Sequence, residues 1–239
     1  MNDRPPVSIV LLAYNEAGTI EDQIRTLHRV IVSKLPGSEI VVGEEGSQDG
    51  TSEILQALVQ TLGIVHVTSK TRKGYREALR GALRQTRNPY VFFSDAGAKN
   101  DPEDFWKLYD LRDRHDLIIG RRVGRTDSLL RQALTYGYNF YLRQSFGLPE
   151  VHDSDSGFRI FNRRVVELIL SPRSFFKNFS GSETVLRAHH QGLSVHEVSI
   201  GYRGRKGASR GMPTKRIPNA ILGVLRDLQT LRREFAQNA

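Results

Sequence analysis

The sequence predicts an α/β domain: a Rossmann-like, mostly parallel central sheet with helices on both faces. Three observations carry this. Strand-like and helix-like segments alternate strictly from residue 7 to residue 120. The strand-like segments are continuous apolar runs, which fit strands covered on both faces. The unusual polar residues come directly after those runs, at the carboxyl ends where open α/β sheets bind ligands.

The elements follow in order. Val7–Ala13 (VSIVLLA) reads as the first buried strand. Residues 19–35 carry Ile20, Ile24, Leu27 and Ile31 at helical spacing. Strands follow at 40–42, 64–67, 90–93 and 117–119, with helices at 52–62 and 75–83 between them. Asp101-Pro102 opens the next helix, with Asp101 as N-cap and Pro102 at the first helical position. Residues 129–146, 163–170 and 182–190 read as helices, and 195–202 as a late strand. Ile217, Ile221, Val224, Leu228, Leu231 and Phe235 then form one apolar stripe on a terminal helix. Residues 1–212 form the expected domain, and 213–239 an amphipathic helix packed on it or lying at a membrane or partner surface.

Composition narrows the function. The chain has 239 residues, enough for one large α/β domain, and it has no cysteine. Zinc fingers, iron–sulfur clusters and thiol catalysis are excluded. The net charge of +9 calls for an acidic partner. Nucleic acid is set aside, because no helix-turn-helix, finger or RNP pattern is present and the basic stretches lack interleaved aromatics. The first apolar stretch is too short for a signal sequence, and no apolar run reaches the length of a membrane span. A cytoplasmic location is expected, with peripheral contact to the cytoplasmic face of a membrane left open.

Four strand ends carry the chemistry. Tyr14-Asn15-Glu16 offers an aromatic ring and hydrogen-bonding groups to a base, or a surface turn with a helix cap. Glu44 and Glu45 begin a glycine-rich turn, Gly46-Ser47-Gln48-Asp49-Gly50-Thr51, suited to base or ribose contacts; Asp49 or Thr51 also fits as a helix cap. Arg72-Lys73-Gly74 places cations at a helix N-terminus, which suits a phosphate or a solvated turn. Asp95 ends a hydrophobic strand where a hydrated divalent ion is often held, and Lys99 lies four residues on. Beyond the sheet, Arg121, Arg122, Arg125 and Arg131 form one basic stretch. The loop 201–216 forms another, with six Lys/Arg, four glycines and no acid. His189-His190 and His196 have no metal-site spacing.

Together and in order, these segments resemble family 2 glycosyltransferases of the GT-A fold, in the dolichyl- or polyprenyl-phosphate mannosyltransferase (glucosyltransferase) branch. The segments are Leu12-Ala13-Tyr14-Asn15-Glu16, Gly43 to Thr51, Lys73 to Leu79 and Asp95 to Pro102. Ile119-Gly120-Arg121-Arg122, Asp155-Ser156-Gly157-Phe158-Arg159 and Tyr202 to Arg210 complete the set. The resemblance covers residues 7 to about 210.

The resemblance implies a glycosyltransferase that moves a sugar from a GDP- or UDP-sugar to a polyprenyl-phosphate-like acceptor. Tyr14, Glu16 and Glu45 would hold the base, Lys73 would approach the nucleotide, and Asp95 would contact ribose or metal. Arg122, Arg131 and Arg205, with Ser209, would hold the diphosphate or a phosphate acceptor. A lipid phosphate is already an anionic nucleophile and needs no base; Asp155 would serve a neutral hydroxyl. The family's ion would be Mg2+ or Mn2+, but Gly97 and Lys99 stand where its further carboxylates belong. A lost carboxylate and a gained cation work against a divalent ion, so Lys99 is expected to replace it in part. The rival expectation is a catalytically silent GT-A-like module that binds a nucleotide sugar or a partner.

Overall fold

Seven strands form one sheet in the order β3-β2-β1-β4-β6-β5-β7. They are β1 (Val7–Ala13), β2 (Glu39–Glu45), β3 (Val65–Ser69), β4 (Tyr90–Asp95), β5 (Leu117–Val123), β6 (Phe158–Asn162) and β7 (Val195–Gly201). The computed structural model describes residues 4–69, 71–72, 74–97, 100–124, 129–148, 150–171, 180–202 and 217–237. The helices are α1 (Ile20–Val30), α2 (Thr51–Leu62), α3 (Tyr75–Leu83), α4 (Phe105–Tyr109), α5 (Leu129–Phe146), α6 (Arg163–Leu170), α7 (Ser180–His190) and α8 (Ile217–Gln237).

The expected doubly wound layout is present. β1 pairs in parallel with β2 and β4, β2 with β3, and β5 with β7. Alternate residues of each strand feed opposite cores, as the period of two requires. Ile9 and Leu11 join one core with Ile20, Ile24 and Leu27 of α1, Leu55 of α2 and Phe105 of α4. Val10 joins the other with Leu79 of α3, Leu142 of α5, Val165 of α6, Leu186 of α7, and Leu228 and Leu231 of α8.

Two local expectations are modified. The expected helix 19–35 ends as α-helix at Val30 and continues as a single 3-10 turn, Val32–Lys34. The helix opened by Asp101 also begins as a 3-10 turn, Pro102–Asp104, with the Asp101 carboxylate accepting the Glu103 N–H at 3.1 Å. One strand is new. β6 lies between β4 and β5 and runs antiparallel to both. Its reversal matters for the site, because the residues that precede a reversed strand arrive at the carboxyl edge of its parallel neighbours.

The terminal helix packs through its second half. Leu228 and Leu231 are buried, and the Phe235 ring stacks on His190 at 3.9 Å. Arg187 of α7 donates to Glu183 at 2.6 Å on its own helix and to Glu234 of α8 at 2.7 Å. Earlier in the stripe, Ile221 faces solvent.

Candidate active site

The strand ends β1, β2 and β4 meet in a cavity of about 300 Å3 lined by Leu12, Ala13, Tyr14, Glu16, Glu45, Arg72, Tyr75, Ala78, Asp95 and Ala96. Four residues read from the sequence as nucleotide contacts, Tyr14, Glu16, Glu45 and Asp95, are thus brought together. Lys73, Lys99, Arg205 and Ser209 lie outside the described residues.

The first two loops are laced to each other. Asn15 takes a left-handed φ of 53°, which asparagine tolerates better than most residues. Its amide donates to the Ser47 hydroxyl at 3.0 Å, and its side-chain oxygen accepts the Gln48 N–H at 2.8 Å. The Glu16 amide donates to Thr51 at 2.8 Å, and the Ala17 amide to Asp49 at 3.1 Å. Asp49 also accepts the Thr51 hydroxyl at 2.5 Å. Ser47, Asp49 and Thr51 therefore fasten the rim and leave Tyr14 and Glu16 in the cavity wall.

The two adjacent glutamates divide their work. Glu44 is buried and accepts from the Ser47 amide at 2.6 Å and the Thr68 hydroxyl at 3.0 Å. Burial works to raise its carboxyl, but those hydrogen bonds and nearby His66 hold it below the ordinary value. Glu45 accepts the Gly74 N–H at 2.7 Å, tying β2 to the start of α3, and still lines the cavity. The Arg72 guanidinium lies 4.1 Å from the centre of the Tyr14 ring and covers one face. From the sequence Arg72 suits a phosphate or a solvated turn; here it covers the Tyr14 ring, and Tyr75, which carried no role of its own, lines the cavity.

A second, larger cleft of about 560 Å3 opens beside the first, lined by Arg121, Arg122, Gln132, Thr135, Tyr136, Asn139, Arg143, His152 and Asp153 among others. Its charge is only partly available to a ligand. Arg122 donates to both oxygens of Asp153 at 2.7 Å, through Nε and Nη2. Burial opposes the Arg122 charge, but Asp153, Asp155 and Asp95 raise its pKa overall. Arg131 is exposed on α5 and is not among the residues lining this cleft.

The loop that leads into the reversed strand supplies His152 and Asp153 to this cleft. Glu197 of β7 accepts the His152 and Asp153 amides at 2.8 and 2.7 Å. Asn139 of α5 accepts from the Ser154 amide and hydroxyl at 2.9 and 2.7 Å. Arg159, buried in β6, donates to the carbonyls of Gly181 at 2.8 Å, Ser154 at 3.0 Å and Ser156. So braced, the loop presents Asp155, which opens to solvent amid dense protein. Desolvation raises its carboxyl pKa, Asp95 adds to the rise, and Arg159 and Arg122 oppose it. Arg159 stands in the sequence as the last residue of the segment Asp155 to Arg159, without a role of its own, and Glu197 is an isolated charge inside an apolar strand.

Asp95 ends β4, and Gly97 follows with φ 104°, a conformation aspartate rarely adopts. Both termini of the Gln23 side-chain amide hold this turn: Nε2 donates to the Asp95 carbonyl at 2.8 Å, and Oε1 accepts the Gly97 N–H at 2.9 Å. Among the described residues, no group of three or more His, Asp or Glu side chains could hold a metal. At this turn Gly97 supplies no side chain beside the Asp95 carboxylate.

Parallel strands ending in a nucleotide-sized cavity, with a reversed strand delivering a carboxylate beside it, define a GT-A glycosyltransferase fold. The profile of glycosyl transferase family 2 matches residues 8–170, and the chain belongs to that family. An undecaprenyl-phosphate 4-deoxy-4-formamido-L-arabinose transferase of Pseudomonas aeruginosa is 28% identical over 170 residues, covering 70% of this chain and 50% of that protein. Glycosyltransferase AglD of Haloferax volcanii is 29% identical over 204 residues, covering 81% of this chain and 32% of its own length. The chain thus spans half or less of these two relatives. Among solved structures, glucosyl-3-phosphoglycerate synthase from Mycobacterium tuberculosis, in complex with Mn2+ and UDP-glucose, superposes with TM-score 0.70 at 21% identity. That match covers 95% of this chain and 78% of the synthase, and it establishes the fold.

Proposed function

We propose that this protein transfers a sugar from a nucleotide-diphosphate sugar, GDP- or UDP-linked, to a polyprenyl-phosphate-like acceptor. The observation that carries this is the pair of cavities, one lined by Asp95 and the other by Arg122, two groups close enough to interact electrostatically. One is walled by an aromatic ring and carboxylates, as a nucleoside needs. The other is walled by arginines and tyrosine, as a phosphorylated acceptor needs. The name of the P. aeruginosa relative, an undecaprenyl-phosphate sugar transferase, supports the acceptor class, and that of the H. volcanii relative supports glycosyl transfer.

In this reading the nucleoside lies against Tyr14, with Glu16 and Glu45 accepting its N–H or hydroxyl protons and Asp95 at the ribose. The diphosphate extends toward Arg122, and the acceptor phosphate occupies the cleft of Arg121, Tyr136 and Arg143. A phosphate oxygen attacks the anomeric carbon, the bond to the diphosphate oxygen breaks, and the nucleoside diphosphate leaves with the electron pair. No proton must be removed from an anionic acceptor, so alignment and charge stabilisation supply the catalysis. Lys73, Lys99, Arg131, Arg205 and Ser209 complete the phosphate contacts in this reading. Lys99 takes over part of the charge neutralisation that an ion supplies elsewhere, so transfer proceeds without Mg2+ or Mn2+.

The lipid acceptor is met at a membrane surface. No helix among the described residues is long and apolar enough to cross a bilayer. However, α5 leaves Leu129, Leu134, Tyr136, Phe140 and Tyr141 exposed beside Arg131, a composition suited to an anionic lipid interface. The protein then works from the cytoplasmic face.

The test is a thermal-shift panel of UDP- and GDP-sugars with and without EDTA, followed by transfer to undecaprenyl phosphate. Stabilisation by one donor, unchanged by EDTA, with sugar appearing on the lipid, is the expected result. No stabilisation by either donor overturns the reading. Stabilisation without transfer to any phosphorylated acceptor would instead establish the silent binding module that Gly97 favours.

A further inference from the structure

We propose that Gly157 and Gly181 are positioning residues that seat two carboxylates, Asp95 and Asp155, by leaving their side-chain space empty. The seating is a matter of geometry. Only what the seated carboxylates do rests on the donor reading above.

Among the described residues, nine glycines have φ between 61° and 104°, including Gly74 and Gly97, and are needed for backbone conformation. Gly157 and Gly181 are not among them. Neither has the left-handed φ that demands glycine, which leaves space as the reason for glycine. A Cβ on Gly157 would overlap the Asp95 carboxyl carbon and both of its oxygens. A Cβ on Gly181 would lie 2.5 Å from Asp155 Oδ1 and 3.0 Å from Arg159 Nη2. Gly181 is the second residue of α7, where helix propensity gives no reason for glycine. A glycine kept there against helix propensity fits a requirement for room.

The backbone completes each seat. The Asp95 amide donates to the Gly157 carbonyl at 2.9 Å, so one residue both fixes the Asp95 main chain and vacates the volume its carboxyl fills. The Gly181 carbonyl accepts from Arg159, which also donates to the carbonyls flanking Asp155, those of Ser154 and Ser156. One buried guanidinium therefore sets the Asp155 loop and its glycine seat as a unit. A methyl group at 157 must expel the Asp95 carboxyl from its place, and one at 181 must turn Asp155.

The experiment uses the full chain with Gly157→Ala, Gly181→Ala, Asp95→Ala and Asp155→Ala, and the doubles Gly157→Ala/Asp95→Ala and Gly181→Ala/Asp155→Ala. Gly137→Ala, on α5 with nothing within 4 Å of its added Cβ, is the control. Each is read by denaturant unfolding and by titration with UDP and with GDP. Gly157→Ala is expected to destabilise the wild-type background and to cost nothing in the Asp95→Ala background. Gly181→Ala is expected to destabilise markedly when Asp155 is present and much less when it is absent. Nucleotide affinity should fall at least tenfold in Gly157→Ala, to the level of Asp95→Ala, with no further fall in the double. Equal unfolding costs with and without the carboxylate overturn the seating, as does wild-type nucleotide affinity in Gly157→Ala. If the wild-type chain binds neither nucleotide, the donor reading fails, and the unfolding cycle still decides the seats.

Discussion

Arg122 at the end of β5 holds Asp153 in a two-pronged grip, with both prongs 2.7 Å long. The Asp153 side chain is almost wholly buried and that of Arg122 largely so. Such a pair adds little net stability when intact, but removing one partner strands the other's charge. Asp153→Ala should therefore lower unfolding stability by about 3 kcal/mol. The double Arg122→Met/Asp153→Leu should recover much of that loss. Urea unfolding of the three variants checks this, and a loss under ~0.5 kcal/mol for Asp153→Ala would contradict it.

Asp155 predicts a pH effect of unusual sign. Its folded pKa is raised, through desolvation first and Asp95 second. Across the window between its ordinary and raised values the folded state holds more protons than the unfolded, so stability falls as pH rises. Asp155→Asn should be more stable than wild type at pH 7, and the gain should shrink as pH falls toward the ordinary aspartate value. Melting temperatures from pH 4 to 8 test this; an Asn variant less stable at pH 7 would contradict it.

His66 predicts the opposite slope. Burial lowers its pKa despite the Glu44 carboxylate 3.8 Å away. Below its ordinary value of about 6.5 the unfolded chain binds the extra proton, so stability is lost as pH falls. Glu44, also held low, adds to the loss at lower pH. His66→Gln should flatten the stability curve between pH 7 and pH 5. An unchanged slope in that variant would remove His66 from the account.

Arg72 and Tyr14 form a stacked pair at the mouth of the smaller cavity. Arg72→Ala removes both a cation and the cover of the ring. UDP or GDP affinity should weaken by about tenfold, ~1.4 kcal/mol. The remaining binding should be less sensitive to salt, because a screened charge is gone. Calorimetry at low and high salt measures both, and unchanged salt dependence counts against a phosphate role for Arg72.

Most of the architecture was legible because strand and helix periods differ and the chain keeps them distinct. Val7–Ala13 and the stripe Ile20, Ile24, Leu27 read directly. β6 was not legible, since Phe158–Asn162 is short and carries a buried Arg159 whose charge interrupts the apolar pattern. That arginine makes sense only beside Gly181, Ser154 and Ser156, which long-range folding brings to it. The cavity residues Tyr14, Glu16, Glu45 and Asp95 were legible because each follows a buried strand. The partition between buried Glu44 and cavity-lining Glu45 was not, since adjacent carboxylates look alike until the pleat assigns their sides. Arg122 shows the same limit: its basic character was visible, but its partner Asp153 lies 31 residues away.

The cross-lacing of Asn15, Glu16 and Ala17 to Ser47, Thr51 and Asp49 bears on kinetics. This side of the cavity is set when the chain folds, so an arriving nucleotide meets a finished wall. Encounter is then governed by diffusion and by the long-range pull of a +9 protein on a polyanion. Association should be fast and slow down steeply with ionic strength, and differences in affinity among bases should appear chiefly as differences in residence time.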